Sequence, residues 1–284
     1  MKKSAAIVLV LAVVTGLSVA LGKAMLNRSV TSEPSSAASG VVAKPTPTAN
    51  MADASGPGMT AIADAAAANK YLFVFFWKEE NEQTAAMKGV FEEAMKKTTS
   101  KARSAIVCIA NPAEKGIVAK FDVGRAPMPL VLALAPNGAV TGGFPTKFGE
   151  QELLAAFGTP CSEKCMKALQ ENKLVLLCVQ NGSTKSKDDA MRGVRNFKGD
   201  SRFAQATEVV MLDPADAAER SLLADLKVDP QESEAVTAFL VPPGSVIAEF
   251  KGATDKDVLV AALQRASTSC GPNGCGPGGC GPKK

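Results

Sequence analysis

The chain has 284 residues, a formal net charge of +4 and no histidine. The lack of histidine excludes Ser-His-Asp and Cys-His catalysis and every histidine-ligated metal site. The positive charge is spread along the chain without a long Lys/Arg block, and no Gly-rich phosphate loop occurs, so neither a nucleic acid nor a nucleotide is expected as a partner.

Residues 1–28 begin with Lys2 and Lys3 and continue in an apolar run from Ala5 to Leu21. This is the pattern of a secretory signal peptide or a signal anchor. A small-x-small site at Ser18-Val19-Ala20 allows cleavage, and the run is also just long enough to span a bilayer. The expected location is periplasmic or otherwise extracytoplasmic in a bacterial-type cell, either free or held at the inner membrane by this segment. Residues 29–57 are dominated by Ser, Ala, Pro, Thr and Gly and lose hydrophobic periodicity, as in a flexible linker.

A first folded domain is expected over residues 58–158. Met59 to Asn69 is helical in character. Tyr71 to Trp77 is wholly apolar and reads as a strand buried on both faces. Met87, Val90, Phe91, Ala94 and Met95 share one helical stripe. Ser104 to Ala110 reads as a second buried strand, with Cys108 a small core residue. Pro112 opens a short helix to Phe121. Leu130 to Leu134 and Ala139 to Phe144 are strands joined by the Pro136-Asn137-Gly138 turn. Gly149 to Phe157 is a closing helix.

This α-β-α-β-α-β-β-α order, with Phe76-Trp77 ending an apolar strand and Met128-Pro129-Leu130-Val131 leading into a hairpin, resembles the thioredoxin fold. The resemblance implies a mixed α/β domain in which Pro129 is the cis-proline of a peptide groove flanked by Trp77 and Met128. It also implies a Cys-x-x-Cys just after the tryptophan. That position holds Asn81-Glu82-Gln83-Thr84, so Asn81 and Thr84 stand where the thiols of the redox site belong. Asn81 caps a helix but cannot attack sulfur, and the first domain is expected to be redox-inactive with no catalytic residue.

Residues 159–268 repeat the pattern. Strands are expected at Leu174 to Val179, Thr207 to Leu212, Thr237 to Val241 and Val246 to Phe250. Helices are expected at Glu163 to Asn172, Asp188 to Phe197, Ala217 to Leu226 and Asp255 to Ala266. Val131 to Phe144 parallels Ala238 to Phe250, a mark of duplication. This domain resembles the same fold more weakly: Ala235 or Val236 stands at the cis-proline position, no Cys-x-x-Cys follows its first strand, and Cys178 reads as core.

Five cysteines are expected outside both cores. Cys161 and Cys165 follow Thr159 as N-cap and Pro160 as first residue of a helix, where i, i+4 spacing puts them on one face and Lys164 favours a lowered thiol pKa. Cys270, Cys275 and Cys280 recur in a flexible Cys-Gly-Pro tail over residues 269–284. For Cys161 and Cys165 a redox or metal role stands beside a local structural disulfide, and for the tail thiols three uses stand open: disulfide exchange, Cu or Zn binding, or no selected chemistry. No resident cofactor is otherwise expected. Two functions follow. One is a non-enzymatic scaffold that holds a polypeptide partner in the cell envelope. The other is a thiol-disulfide oxidoreductase or soft-metal binder that uses the peripheral cysteines.

Overall fold

The computed structural model describes residues 56–268, so the signal or anchor segment, nearly all of the linker and Cys270, Cys275 and Cys280 lie outside the described residues. The first domain is a four-stranded sheet in the order β2-β1-β3-β4. Strand β1 (Tyr71–Trp77) pairs in parallel with β2 (Ala102–Cys108) and antiparallel with β3 (Leu130–Leu134), which pairs antiparallel with β4 (Val140–Pro145).

The central place of β1 explains its continuous apolar sequence, because alternate side chains enter two separate cores. Leu72, Val74 and Phe76 face α1 (Pro57–Ala67) and α3 (Lys115–Lys120); Tyr71, Phe73 and Phe75 face α2 (Glu82–Lys96) and α4 (Glu150–Leu154). Helix α1 begins at Pro57, so the last residue assigned to the linker is the first residue of the fold. Proline suits that place because its missing N–H has no partner in a first turn anyway.

Strand β2 is not buried on both faces as its composition suggests. It is the sheet edge, with Arg103, Ser104 and Ile106 exposed, the last at 43%. Cys108 ends this strand half-buried, paired with Trp77, and is not a core residue.

The second domain repeats the plan in the order β6-β5-β7-β8. Its strands are β5 (Leu174–Val179), β6 (Thr207–Leu212), β7 (Val236–Val241) and β8 (Ser245–Lys251). Val175, Leu177 and Val179 face α5 (Pro160–Gln170) and α7 (Arg220–Asp225). Leu176 and Cys178 face α6 (Lys187–Gly199) and α8 (Lys256–Thr268). Cys178 is fully buried, as a core residue should be.

The domains dock through α5. Met166 joins the core of the first domain, and Gln170 clamps the rim of β4 by accepting from Val140 N at 2.9 Å and donating to Val140 O at 2.7 Å. Asn137, in the turn before β4, donates to Glu163 O at 3.0 Å.

Candidate functional site

The residues of the groove expected in the first domain lie at one end of the sheet. Phe76 pairs with Leu130, so the next step of the antiparallel register sets Trp77 beside Pro129. The Met128–Pro129 bond is cis. Met128 and Trp77 are half-buried and Pro129 is buried. Among the described residues the backbone N–H and C=O of Met128 make no hydrogen bond, whereas Pro129 O accepts from Thr146 N at 2.7 Å. Gln83, in the first turn of α2, donates to Thr146 O at 3.1 Å and ties the helix start to the proline loop.

Asn81 and Thr84 occupy the two thiol positions of the expected redox site. Asn81 is the N-cap of α2, accepting from Thr84 N at 2.8 Å. The Thr84 side chain is buried and donates to Glu79 O at 3.0 Å. Both polar side chains are spent on holding the helix start, and neither offers a nucleophile to the groove.

In the second domain Ala235 stands just before β7 at the place that Pro129 has before β3. A second cis bond, Pro242–Pro243, lies instead in the β7–β8 turn, away from that strand entry. The loop after β5 is closed on itself: Asn181 accepts from Ser183 N at 3.0 Å and donates to Asp213 at 3.0 Å.

Thr159 and Pro160 begin α5 as the sequence suggests, with Thr159 accepting from Ser162 N. The two thiols that follow are not peripheral. Cys161 and Cys165 are buried in the core beneath β5, with Cys165 only 2% exposed. Their pKa values move opposite to the helix-start expectation. Burial pushes both thiols up to about 12, Glu219 adds to the effect, and Lys164 opposes it only weakly.

The neighbour that sequence reasoning missed is Glu219. It ends a short 3-10 turn before α7, is 2% exposed, and accepts from Cys161 N at 2.9 Å through Oε1. Its Oε2 has no hydrogen-bond partner among the described residues. Cys161 Sγ donates to Met211 O on β6 at 3.2 Å. The first domain carries the same device without sulfur: Glu114 Oε2 accepts from Gly58 N at 2.9 Å. That repeat was the signal available in the sequence, since each glutamate closes a matching short turn.

No family model matches this chain, and no curated protein does. Solved structures similar to it include thioredoxins and tandem thioredoxin domains. The first two thioredoxin domains of Saccharomyces cerevisiae Eps1p share 10% identity over 78% of this chain and 99% of that one, with a TM-score of 0.28. The zinc-bound form of human ERp44 shares 11% over 72% of this chain and 58% of that one, at 0.32. The germline-specific thioredoxin Deadhead of Drosophila melanogaster shares 16% over 35% of this chain and 90% of that one, at 0.29. The strand order, register and helix placement within each domain carry the assignment of two thioredoxin-like domains, independently of these scores.

Proposed function

We propose that this chain is an exported, redox-inactive tandem thioredoxin-like protein that holds a polypeptide partner in a bacterial-type cell envelope. One observation carries the reading. At the end of the first sheet a cis-proline strand entry with an unused backbone N–H and C=O at Met128 lies beside Trp77, while the positions for a thiol pair hold Asn81 and Thr84. An extended peptide adds to such a backbone by strand pairing, and the indole supplies apolar area for one of its side chains. Thiol exchange at this place lacks both the attacking and the resolving sulfur.

Export rests on the basic and apolar N-terminal segment, and anchorage at the inner membrane is its uncleaved form. No helix among the described residues is long and apolar enough to cross a membrane.

The test uses the full chain with a reduced and alkylated polypeptide as the unfolded probe. Binding is expected to quench or shift the emission of Trp77, which is the single tryptophan. Met128→Pro removes the free N–H and is expected to weaken binding at least tenfold. Reduction of insulin disulfides by the chain is expected to stay at the background rate. Turnover of insulin at thioredoxin-like rates, or an unaltered affinity in the proline variant, overturns the reading.

A further inference from the structure

The two sheets have equivalent edges. Tyr71 pairs with Ala102 and Leu174 with Thr207, so Ala102 corresponds to Thr207 and Ile106 to Met211. Tyr71 N donates to Lys101 O, Ile109 N donates to Trp77 O, and Leu174 N donates to Ala206 O. In a parallel ladder alternate residues bond to the neighbouring strand. Lys101, Arg103 and the odd-numbered residues after them therefore bond toward β1, and the backbone of Ser104 and Ile106 points away from the sheet. In the second domain the outward residues are Thr207, Val209 and Met211.

The second edge is capped and the first is open. Lys198 Nζ donates to Thr207 O at 2.6 Å and Cys161 Sγ to Met211 O at 3.2 Å, so side chains occupy outward carbonyls toward both ends of β6. Pro57 and Pro160 open equivalent helices, at the same distance ahead of Tyr71 and Leu174, so Gly58 stands where Cys161 does and has no side chain to offer. Among the described residues nothing hydrogen-bonds to the backbone N–H or C=O of Ser104 or Ile106. Ile106 pairs with Phe75 and so projects on the α2 side of the sheet, where it is 43% exposed. An open backbone beside an exposed apolar side chain is a template for a further strand.

Charge selects what that strand is. From Ala94 to Ala113 the chain holds Lys96, Lys97, Lys101 and Arg103 and no Asp or Glu. Lys96 and Lys97 are paired with Glu93 and Glu150. Lys101 and Arg103 are exposed, and among the described residues no carboxylate lies within ion-pair distance of either. Arg103 pairs with Leu72 and so stands on the α1 side of β2, as does Lys101 two residues before it. Pairing β2 with the β2 of a second copy would bring these cations to one seam without a counter-charge, which disfavours self-association.

We propose that the open edge of β2 takes an extended acidic segment of a polypeptide partner by strand addition, with carboxylates beside Lys101 and Arg103 and an apolar side chain beside Ile106. The added backbone bonds to Ser104 and Ile106, and the period of two places its carboxylates on one face and its apolar side chains on the other. This contact does not rest on the Met128 entry, because β1 stands between β2 and β3 in the sheet.

The experiment uses the full chain and a capped, fluorophore-labelled peptide as long as β2, seven residues, that alternates Glu and Val. A second peptide alternates Lys and Val. Fluorescence anisotropy should show the Glu peptide bound at least tenfold more tightly than the Lys peptide, and more weakly as salt is raised. Hydrogen exchange should slow at Ser104 and Ile106. Ser104→Pro removes an outward N–H and leaves the bonds to β1 intact, and it should weaken binding at least tenfold. Lys101→Glu with Arg103→Glu changes only exposed side chains, serves if the proline variant fails to fold, and should invert the preference between the peptides. Failure of the Glu peptide to bind, equal binding of both peptides, or unaltered preference in the charge-reversed variant overturns the proposal. So does protection at Met128 in place of Ser104 and Ile106, or a dimer of the chain that protects Ser104 and Ile106 before peptide is added. Trp77 emission with the alkylated polypeptide reports the other site, so either proposal can fail without the other.

Discussion

Tyr71 Oη donates to Glu163 Oε1 across the domain boundary and at the same time accepts from Gly158 N at 2.7 Å. One hydroxyl thus joins the central strand of the first domain, the link between the domains and the first helix of the second. Burial raises the pKa of the Tyr71 hydroxyl and of the Glu163 carboxyl. With Gln170 on Val140 and Asn137 on Glu163, this contact makes the pair of domains one docked unit.

Removing that hydroxyl separates the two folding transitions. In Tyr71→Phe the Gly158 N–H and the Glu163 carboxylate lose a shared partner, at a cost of about 1–3 kcal/mol. Urea denaturation of the full chain should show one transition in the native protein and two in the variant. A single transition with an unchanged midpoint would show that Met166, Gln170 and Asn137 couple the domains without the Tyr71 hydroxyl.

Cys178 makes stability depend on alkaline pH. Burial pushes its thiol up to about 12 from the ordinary 9.0. The folded state keeps this proton where the unfolded chain has lost it, so the contribution is intact below pH 9.0 and is lost as pH rises toward 12. The slope approaches about 1.4 kcal/mol per pH unit. Cys178→Ala should remove this residue's share of the slope, leaving that of Cys161 and Cys165, whose thiols are raised in the same way, while lowering stability at neutral pH through the cavity it leaves. An equally steep alkaline fall in the variant would assign the slope to other groups.

Gly193 of α6 lies against the backbone just before α8. A Cβ there would stand 1.9 Å from Thr254 O, a backbone atom that no rotamer change can move. Gly193→Ala should therefore destabilise the second domain by about 1–3 kcal/mol or more, although alanine is the better helix former. Thermal unfolding settles this, and a variant as stable as the native chain would mean that the start of α8 shifts freely.

Glu114 should show its structural task by substitution. Glu114→Ala leaves the buried Gly58 N–H without its acceptor, at a cost of about 1–3 kcal/mol, whereas Glu114→Gln keeps an acceptor and should cost less. Hydrogen exchange at Gly58 reports the local effect. Equal protection in native and alanine forms would remove Glu114 from the account of how α1 begins.

Much of this protein is determined locally and was legible in the chain. The wholly apolar Tyr71 to Trp77, the stripe from Met87 to Met95, and Asn81 and Thr159 as caps all follow from period, propensity and capping chemistry within a few residues, whereas the missing thiols at Asn81 and Thr84 were legible only through the resemblance to the thioredoxin fold. What the tertiary structure decided depends on neighbours distant in sequence. The apolar stretch around Ile106 looks like a buried strand, but the sheet order leaves it at an edge and exposes that side chain. The i, i+4 spacing of Cys161 and Cys165 tells that they share a helix face, not what covers it. A strand and a glutamate 58 residues further along bury both thiols and raise the pKa that a helix start alone would lower. Burial sets the dielectric around a charge, and burial is a property of the packed chain rather than of any segment of it.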